Sequence, residues 1–277
     1  MRKRKFEEFA ALHVPGDPLI LYNAWDVGSA RAVASAGAKA VATGSWSVAA
    51  AQGFGDGEEL PLEFVLTSAV RIAGAVSVPV TIDFEGGYAI EPEAVGANTA
   101  RLSATGAVGC NFEDQVVGGA GFHPIEFQAK RIAAARAATG PNFFINARID
   151  LFLNTPREEH DDAILEEAIA RAIAYSDAGA SGIFVPGLAD LAKIRELTAS
   201  GCKPINVIPA PGADVAELAD AGVARISYGP RPYFAMLKDV EAAAQAAFDW
   251  QIPSSSTASP SGKSTKPRRG TRPKKPQ

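Results

Sequence analysis

Four carboxylates suggest chemistry first. Asp83 and Glu85 stand just past the apolar run Val78–Ile82, and Glu113 and Asp114 just past Val108–Phe112. Asp83 and Glu85 are spaced i, i+2, so they project to one side if the strand continues. Unpaired carboxylates packed this closely repel one another and resist ionising together. A divalent cation removes that penalty, and all-oxygen ligation suits Mg²⁺ or Mn²⁺. Salt bridging to Arg148 alone is the other reading, but one arginine cannot neutralise four acids.

Acids at strand ends need a scaffold that gathers strand ends together. From about residue 19 to 248, short β-branched runs alternate with Ala-rich helical stretches. The expected strands are Leu19–Tyr22, Ala38–Thr43, Val78–Ile82, Val108–Phe112, Asn142–Ala147, Gly182–Val185, Pro204–Ile208 and Ala224–Ser227. The helices between them include Pro61–Ala75, Pro92–Ala104, Pro124–Ala138 and a long one, Arg157–Ala178. Several begin at proline and end at an Ala-Gly step, as helix starts and stops do. Eight such units fit an α/β fold, a closed (β/α)8 TIM-type barrel whose active site lies at the C-terminal strand ends. An open dinucleotide-binding sheet lacks its G-x-G-x-x-G after the first strand. Phe6–Leu12 reads as a short helix that plugs the barrel floor. His13 and His160 read as solvent-facing, and Glu166 and Glu167 as a solvated helix face.

Composition agrees with a globular protein. The chain has 277 residues, 47% hydrophobic and 21% charged. No apolar run approaches the roughly 18 residues of a membrane helix. Two cysteines make no disulfide framework, so a cytoplasmic setting is expected. Charge is uneven. Residues 253–277 hold seven basic and no acidic residues, leaving about −11 on the rest against −4 for the whole chain. We expect a barrel domain over residues 1–250 and a disordered basic tail over 251–277. Nucleic acid is not expected on the acidic body, and only weakly on the tail.

The motifs at the strand ends resemble one superfamily. Asp83-Phe84-Glu85-Gly86-Gly87-Tyr88 is similar to the D-x-[DE]-x-G-[YF] motif of isocitrate lyases and phosphoenolpyruvate mutases. The likeness continues through Asn23-Ala24-Trp25-Asp26, Gly44-Ser45, Gly53-Phe54-Gly55-Asp56-Gly57, Asn111-Phe112-Glu113-Asp114-Gln115, Asn146-Ala147-Arg148, Val185-Pro186-Gly187 and Asn206-Val207. It implies a barrel of the phosphoenolpyruvate/pyruvate-domain type, a last helix often exchanged between subunits, and a homodimer or homotetramer. It also implies a Mg²⁺ (or Mn²⁺) site. Asp83 would ligate the ion, with Glu85, Glu113 and Asp56 holding its waters. Arg148 would bind the carboxylate of a small-molecule substrate. Ser45 and the backbone after it would hold the α-oxo acid end, and Asn206 would line the pocket. The implied reaction is cleavage of a C–C or P–C bond beside an α-oxo or 2-hydroxy acid, through an enolate-like intermediate.

The likeness breaks at the lid. Isocitrate and methylisocitrate lyases carry K-[KR]-C-G-H there; this chain has Gln115-Val116-Val117-Gly118-Gly119-Ala120-Gly121-Phe122-His123, with neither Cys nor Lys. His123 is the one lid group able to act as an acid. Trp46 and Ser47 replace the usual Ala-Gly beside the pocket serine, which narrows the pocket and favours a short acid such as oxaloacetate. Two alternatives stay open: a diverged, non-catalytic barrel that binds a small carboxylate, and a mutase-type phosphonate enzyme. A Schiff-base aldolase needs a strand-end lysine, and Lys39, Lys193 and Lys203 sit elsewhere. A chain ending at Trp250 should keep the melting temperature of the full chain by calorimetry; a drop of several degrees would mean the basic segment docks on the acidic body.

Overall fold

The computed structural model describes residues 2–250, so the tail expected at 251–277 lies outside the described residues. Eight parallel strands form one sheet: β1 (Leu19–Leu21), β2 (Val41–Ala42), β3 (Val80–Asp83), β4 (Gly109–Glu113), β5 (Phe144–Arg148), β6 (Gly182–Phe184), β7 (Ile205–Val207) and β8 (Arg225–Ser227). Their hydrogen-bonded order is β1–β8–β7–β6–β5–β4–β3–β2. A bridge between Ala24 and Thr43 spans the remaining seam, where the Ala24 amide donates to the Ala42 carbonyl at 2.8 Å. The sheet is thus a nearly closed (β/α)8 barrel, and every expected strand is present, most of them trimmed at the ends.

The helices are α1 (Arg2–Ala11), α2 (Val27–Ser35), α3 (Ser45–Ala50), α4 (Leu62–Ala75), α5 (Pro92–Ser103), α6 (Ile125–Thr139), α7 (Leu151–Asn154), α8 (Asp162–Asp177), α9 (Leu191–Ala199), α10 (Val215–Asp220) and α11 (Arg231–Phe248). Aspartate caps start several of them. The Asp26 side chain accepts from the Ser29 amide, the Ser29 hydroxyl accepts from the Asp26 amide, and Asp190 and Asp214 cap α9 and α10. Such a cap also corrects the long helix expected from Arg157. Asp161 accepts from the Ile164 amide at 3.0 Å, so α8 starts there and Arg157–Glu159 forms a separate 3-10 turn. Helices α3 and α7 are additions, each too short to show a helical period. The barrel unit runs to Leu237; the rest of α11, from Lys238, is a separate unit with mostly exposed side chains. Among the described residues no helix is long and apolar enough to cross a membrane.

Side chains alternate across each strand. Val80, Ile82, Cys110, Phe112, Ile145, Ile183, Ile205 and Ile226 belong to the main buried apolar cluster, which also takes in helix residues such as Ile72, Leu102, Ile132 and Ile194. A second cluster closes the floor, where Phe9 of α1 joins Leu19, Leu21, Ala40, Ala42, Val108 and Phe144. The expected floor plug is therefore present. His13 belongs to it, against the expectation of a solvent-facing residue. Its ring stacks on Phe144 at 4.2 Å, and its Nδ1 donates to the Phe9 carbonyl at 2.8 Å. An aromatic partner and a carbonyl one helical turn back make this histidine a core residue. His160 is likewise half-buried, with its ring against Phe152.

Burial, and secondarily the charge of Arg225, pull the His13 imidazole from 6.5 down to about 3. The folded protein therefore refuses a proton that the unfolded chain accepts between about pH 6.5 and pH 3. Stability from this residue is complete above pH 6.5 and declines as pH falls through that window. His13→Phe, which keeps an aromatic ring and cannot titrate, should lose less stability than the parent between pH 7 and pH 5. Urea midpoints at the two pH values measure this, and parallel losses would mean that His13 does not set the acid limb.

Candidate active site at the strand ends

A cavity of about 190 Å³ opens at the C-terminal ends of the strands. Asn23, Ser45, Asp56, Asp83, Asn111, Arg148 and Ser227 supply its polar lining, and Trp46, Leu153, Phe184, Pro186, Ile208 and Pro230 its apolar lining. Asn23 ties three strand ends together. Its Oδ1 accepts from the amides of Tyr228 and Gly229, both at 2.9 Å, and its Nδ2 donates to the Thr43 carbonyl at 2.8 Å. Asp83 closes β3. Its amide donates to the Thr43 hydroxyl at 3.0 Å, and its Oδ2 accepts from the Ser45 amide at 3.2 Å. Its other oxygen, Oδ1, is buried and has no hydrogen-bond partner.

Arg148 is held by two acids. Nη1 pairs with Glu113 at 2.9 Å and Nε with Asp150 at 2.6 Å, and Nη2 is the nitrogen that neither acid takes. Burial works to lower the guanidinium, but Asp150 and Glu113 outweigh it and hold Arg148 well above its usual value. Burial also pushes the Glu113 carboxyl well up, against the pull of Arg148.

Glu85 departs from the expected strand geometry. β3 ends at Asp83, and Glu85 turns into the left-handed region at φ 49°. Its carboxylate faces the loop before α4, accepting from the amides of Gly57 at 2.8 Å and Glu58 at 2.7 Å and from the Tyr88 hydroxyl at 3.0 Å. It lines a small adjoining cavity with Asp83 and Ser45. Burial first, then the charge of Asp56, raise it to about 7. Asp56 keeps a solvent-exposed face. Desolvation of its other side raises its carboxyl, the Ser45 hydroxyl opposes this, and the charge of Asp83 adds to it.

Asp114 does not share this centre. Adjacent residues on a strand face opposite ways, so with Glu113 turned toward Arg148, Asp114 turns outward. It is fully buried, accepting from Arg171 and from the Tyr175 hydroxyl, each at 2.9 Å, and from the Asp150 amide at 3.0 Å. Two arginines, not one, therefore serve the four acids. Arg171 also donates to the His123 carbonyl at 3.0 Å, which anchors the end of the lid. His123 is not among the residues that line the main cavity. Its ring lies by Phe127, and desolvation with the charges of Arg131 and Arg171 lowers it to about 4, so it is neutral near pH 7. Ser47 is buried on α3, and its hydroxyl has no partner. Asn206 lies one hydrogen bond behind the lining, accepting from Ser227 at 3.2 Å.

Several supporting residues were not legible in the sequence. Glu58 accepts from the Tyr88 amide at 2.7 Å, and fully buried Arg131 donates to the Gly86 and Ala89 carbonyls, so both hold the Glu85 loop. Arg225 is also fully buried. It donates to Asn111 at 3.1 Å and Ser227 at 3.3 Å, both of which line the cavity. Capping and helix periodicity carry no signal for buried arginines.

The donor set fits a hard cation. A buried, unpartnered carboxylate oxygen such as Asp83 Oδ1 costs roughly 1–3 kcal/mol unless something satisfies it. Among the described residues, no three His, Cys, Asp or Glu side chains form a complete ligand cluster. One direct carboxylate with water held by further acids is the habit of Mg²⁺. A larger cavity of about 620 Å³ lies by α1, β1 and α2, with mainly apolar lining; Asp17 and Lys39 are its only charged residues. It lacks convergent acids, so the strand-end cavity is the stronger candidate site.

Removing Arg171 leaves the Asp114 charge buried without its cation. Arg171→Met should cost about 3 kcal/mol of stability by urea unfolding, and adding Asp114→Asn should restore part of it. A loss below about 1 kcal/mol would show that Asp114 carries no buried charge.

The comparisons agree with this geometry. The phosphoenolpyruvate phosphomutase family matches residues 9–248. An uncharacterized protein of Mycobacterium tuberculosis (strain ATCC 25618 / H37Rv), Rv1998c, is 37% identical over 248 residues, covering 89% of this chain and 92% of that one. A candidate phosphonomutase from Burkholderia cenocepacia J2315 superposes with TM-score 0.87 at 46% identity, covering 89% of this chain and all of that one. A phosphonopyruvate hydrolase solved with oxalate and Mg²⁺ shares the fold, with TM-score 0.78 at 24% identity, over 93% of this chain and 92% of that one. The chain belongs to the phosphoenolpyruvate phosphomutase family, within the phosphoenolpyruvate mutase/isocitrate lyase superfamily of Mg²⁺-dependent lyases, mutases and hydrolases that act on small carboxylates.

Proposed function

We propose that this protein is a Mg²⁺-dependent enzyme that cleaves a C–C or P–C bond in a small α-oxo or 2-hydroxy carboxylate through an enolate-like intermediate. The observation that carries the reading is the buried, unpartnered Asp83 Oδ1 in one cavity with Arg148 and Ser45. Mg²⁺, when bound, supplies Lewis-acid stabilisation of the developing oxyanion. Asp83 is the direct ligand in this reading. Glu85, Asp56 and Glu113 orient water around it, and the three donors on Glu85 fix its carboxylate for that task.

Arg148 holds the substrate carboxylate. Glu113 and Asp150 fix its guanidinium plane, and Nη2 is the nitrogen they leave for the substrate. Ser45 and the backbone after it hold the oxo acid end. Its amide donates to Asp83, so the residue is preset before substrate arrives. His123 has no role in this reading, because it is neutral and lies outside the cavity lining. The chain therefore has no lid acid to protonate a succinate leaving group, which argues against isocitrate and methylisocitrate cleavage.

Members of this superfamily are typically oligomeric, and we read this chain as a dimer or tetramer. Ile20 and Tyr22 of the β1 region are exposed beside the apolar groove at α2, an outer barrel face where the exchanged last helix of another copy would fit.

Steady-state assays with Mg²⁺ over short oxo and hydroxy acids test the proposal. We expect turnover of at least one such acid, lost in chelator and lowered by a factor of about 10³ or more in Asp83→Ala. A kcat/KM of roughly 10⁴ M⁻¹s⁻¹ on isocitrate or methylisocitrate, an ordinary enzyme value, would contradict it.

A further inference from the structure

The inside of the barrel holds a cation that no carboxylate meets. Arg148 pairs with Glu113 and Asp150, and Arg171 with Asp114. Arg225 of β8 is fully buried, yet among the described residues it forms no ion pair. It donates to neutral oxygens, Asn111 Oδ1 at 3.1 Å and the Ser227 hydroxyl at 3.3 Å. Its Nη1 is buried and has no hydrogen-bond partner. A buried charge without a counter-charge is costly to a fold.

The polar layer around Arg225 does not depend on that charge. Asn111 stands beside Asn146 across β4 and β5, and Asn206 beside Arg225 across β7 and β8. Asn146 donates to Asn111 at 2.9 Å, and Ser227 donates to Asn206 at 3.2 Å. Asn111 and Ser227 therefore each keep a partner without the guanidinium.

The charge is directed at the strand-end cavity. Both acceptors of Arg225, Asn111 and Ser227, line it, together with Asp83. Burial pulls the guanidinium down to about 9, and the Asp83 carboxylate is the strongest influence against that pull, so Arg225 is cationic near pH 7. Asp83 is also the acid with an open buried oxygen. A fixed positive charge behind this cavity acts oppositely on its two occupants. It repels a divalent cation at Asp83 and attracts an anionic acid beside it. A residue that merely held Asn111 and Ser227 in place would strengthen or weaken both together.

We propose that Arg225 is a positioning residue for the reaction proposed above, a buried cation that acts from behind Asn111 and Ser227 to favour the anionic acid and its enolate while disfavouring the metal alone. This rests on the enolate reading and deepens it by adding a second positive charge to the one on Arg148.

Titration calorimetry of the full chain tests this, first with Mg²⁺ alone and then with oxalate at saturating Mg²⁺. Oxalate is a dianion, as is the enolate of pyruvate. Arg225→Met removes the charge and keeps an apolar chain, an exchange that buried charges commonly survive. Arg225→Lys keeps a charge but not the pair of hydrogen bonds. In Arg225→Met, Mg²⁺ alone should bind about ten-fold tighter and oxalate about ten-fold more weakly. Arg225→Lys should stay within about three-fold of the parent in both. Affinities that move the same way in Arg225→Met, or do not move, overturn the proposal. If Arg225→Met does not fold, Arg225→Lys decides. Parent-like affinities uphold the proposal, and an oxalate loss of about ten-fold overturns it. A parent protein that binds oxalate with Mg²⁺ leaves the enolate reading standing in every case; one that binds neither overturns both.

Discussion

Five carboxylates, Asp56, Asp83, Glu85, Glu113 and Asp150, share one barrel mouth with a single lining arginine, and their mutual repulsion is the constraint around which the site is arranged. At 4 Å and an effective dielectric of 20, two like charges repel by about 4 kcal/mol. The structure spreads that cost unevenly. Glu113 and Asp150 are matched to Arg148, and Glu85 is met by two amides and a phenol. Asp83 receives one amide on Oδ2 and nothing on Oδ1. Asp150 Oδ2 is also buried without a partner, but Asp150 is paired with Arg148, whereas no arginine is paired with Asp83 among the described residues.

The surrounding structure keeps those acids where they are. Glu85 and Tyr88 both sit in the left-handed region, a conformation that costs an ordinary residue roughly 1–3 kcal/mol. Glu58 and Arg131 hold that loop in place through Tyr88, Gly86 and Ala89. Gly86 has no room for a side chain, since an added Cβ would lie 2.8 Å from a Val117 methyl, so the lid rests directly on the loop that carries Glu85. Within the barrel a polar layer replaces the usual branched aliphatics. Asn111 accepts from both Asn146 at 2.9 Å and Arg225, linking β4, β5 and β8 behind the cavity.

The barrel was legible because each strand is a short β-branched run bounded by helix punctuation. The candidate acids could be picked out because strand ends are where this fold gathers function. The sequence could not say which of Glu113 and Asp114 faces inward, because that depends on the strand's facing, which one residue of register reverses. Nor could it pair Asp114 with Arg171, which lies on a helix 57 residues away. The face of α8 that carries Glu166 and Glu167 is indeed exposed, but one turn on Arg171 points inward. Arg131, Arg171 and Arg225 look like surface residues to any polarity pattern, yet all three are buried around the site. His13 was misread for the same reason, since a polar residue after an amphipathic helix carries no sign that an aromatic floor awaits it.

The central claim is that Asp83 Oδ1 is the point at which a divalent cation meets this protein. An anomalous difference map from crystals grown with Mn²⁺ and oxalate tests it most directly. The account predicts one strong peak about 2.0–2.2 Å from Asp83 Oδ1, with Glu85, Glu113 and Asp56 reached through water. A peak ligated directly by Glu85 or Glu113 with Asp83 unligated, or no peak at the strand ends, would contradict it.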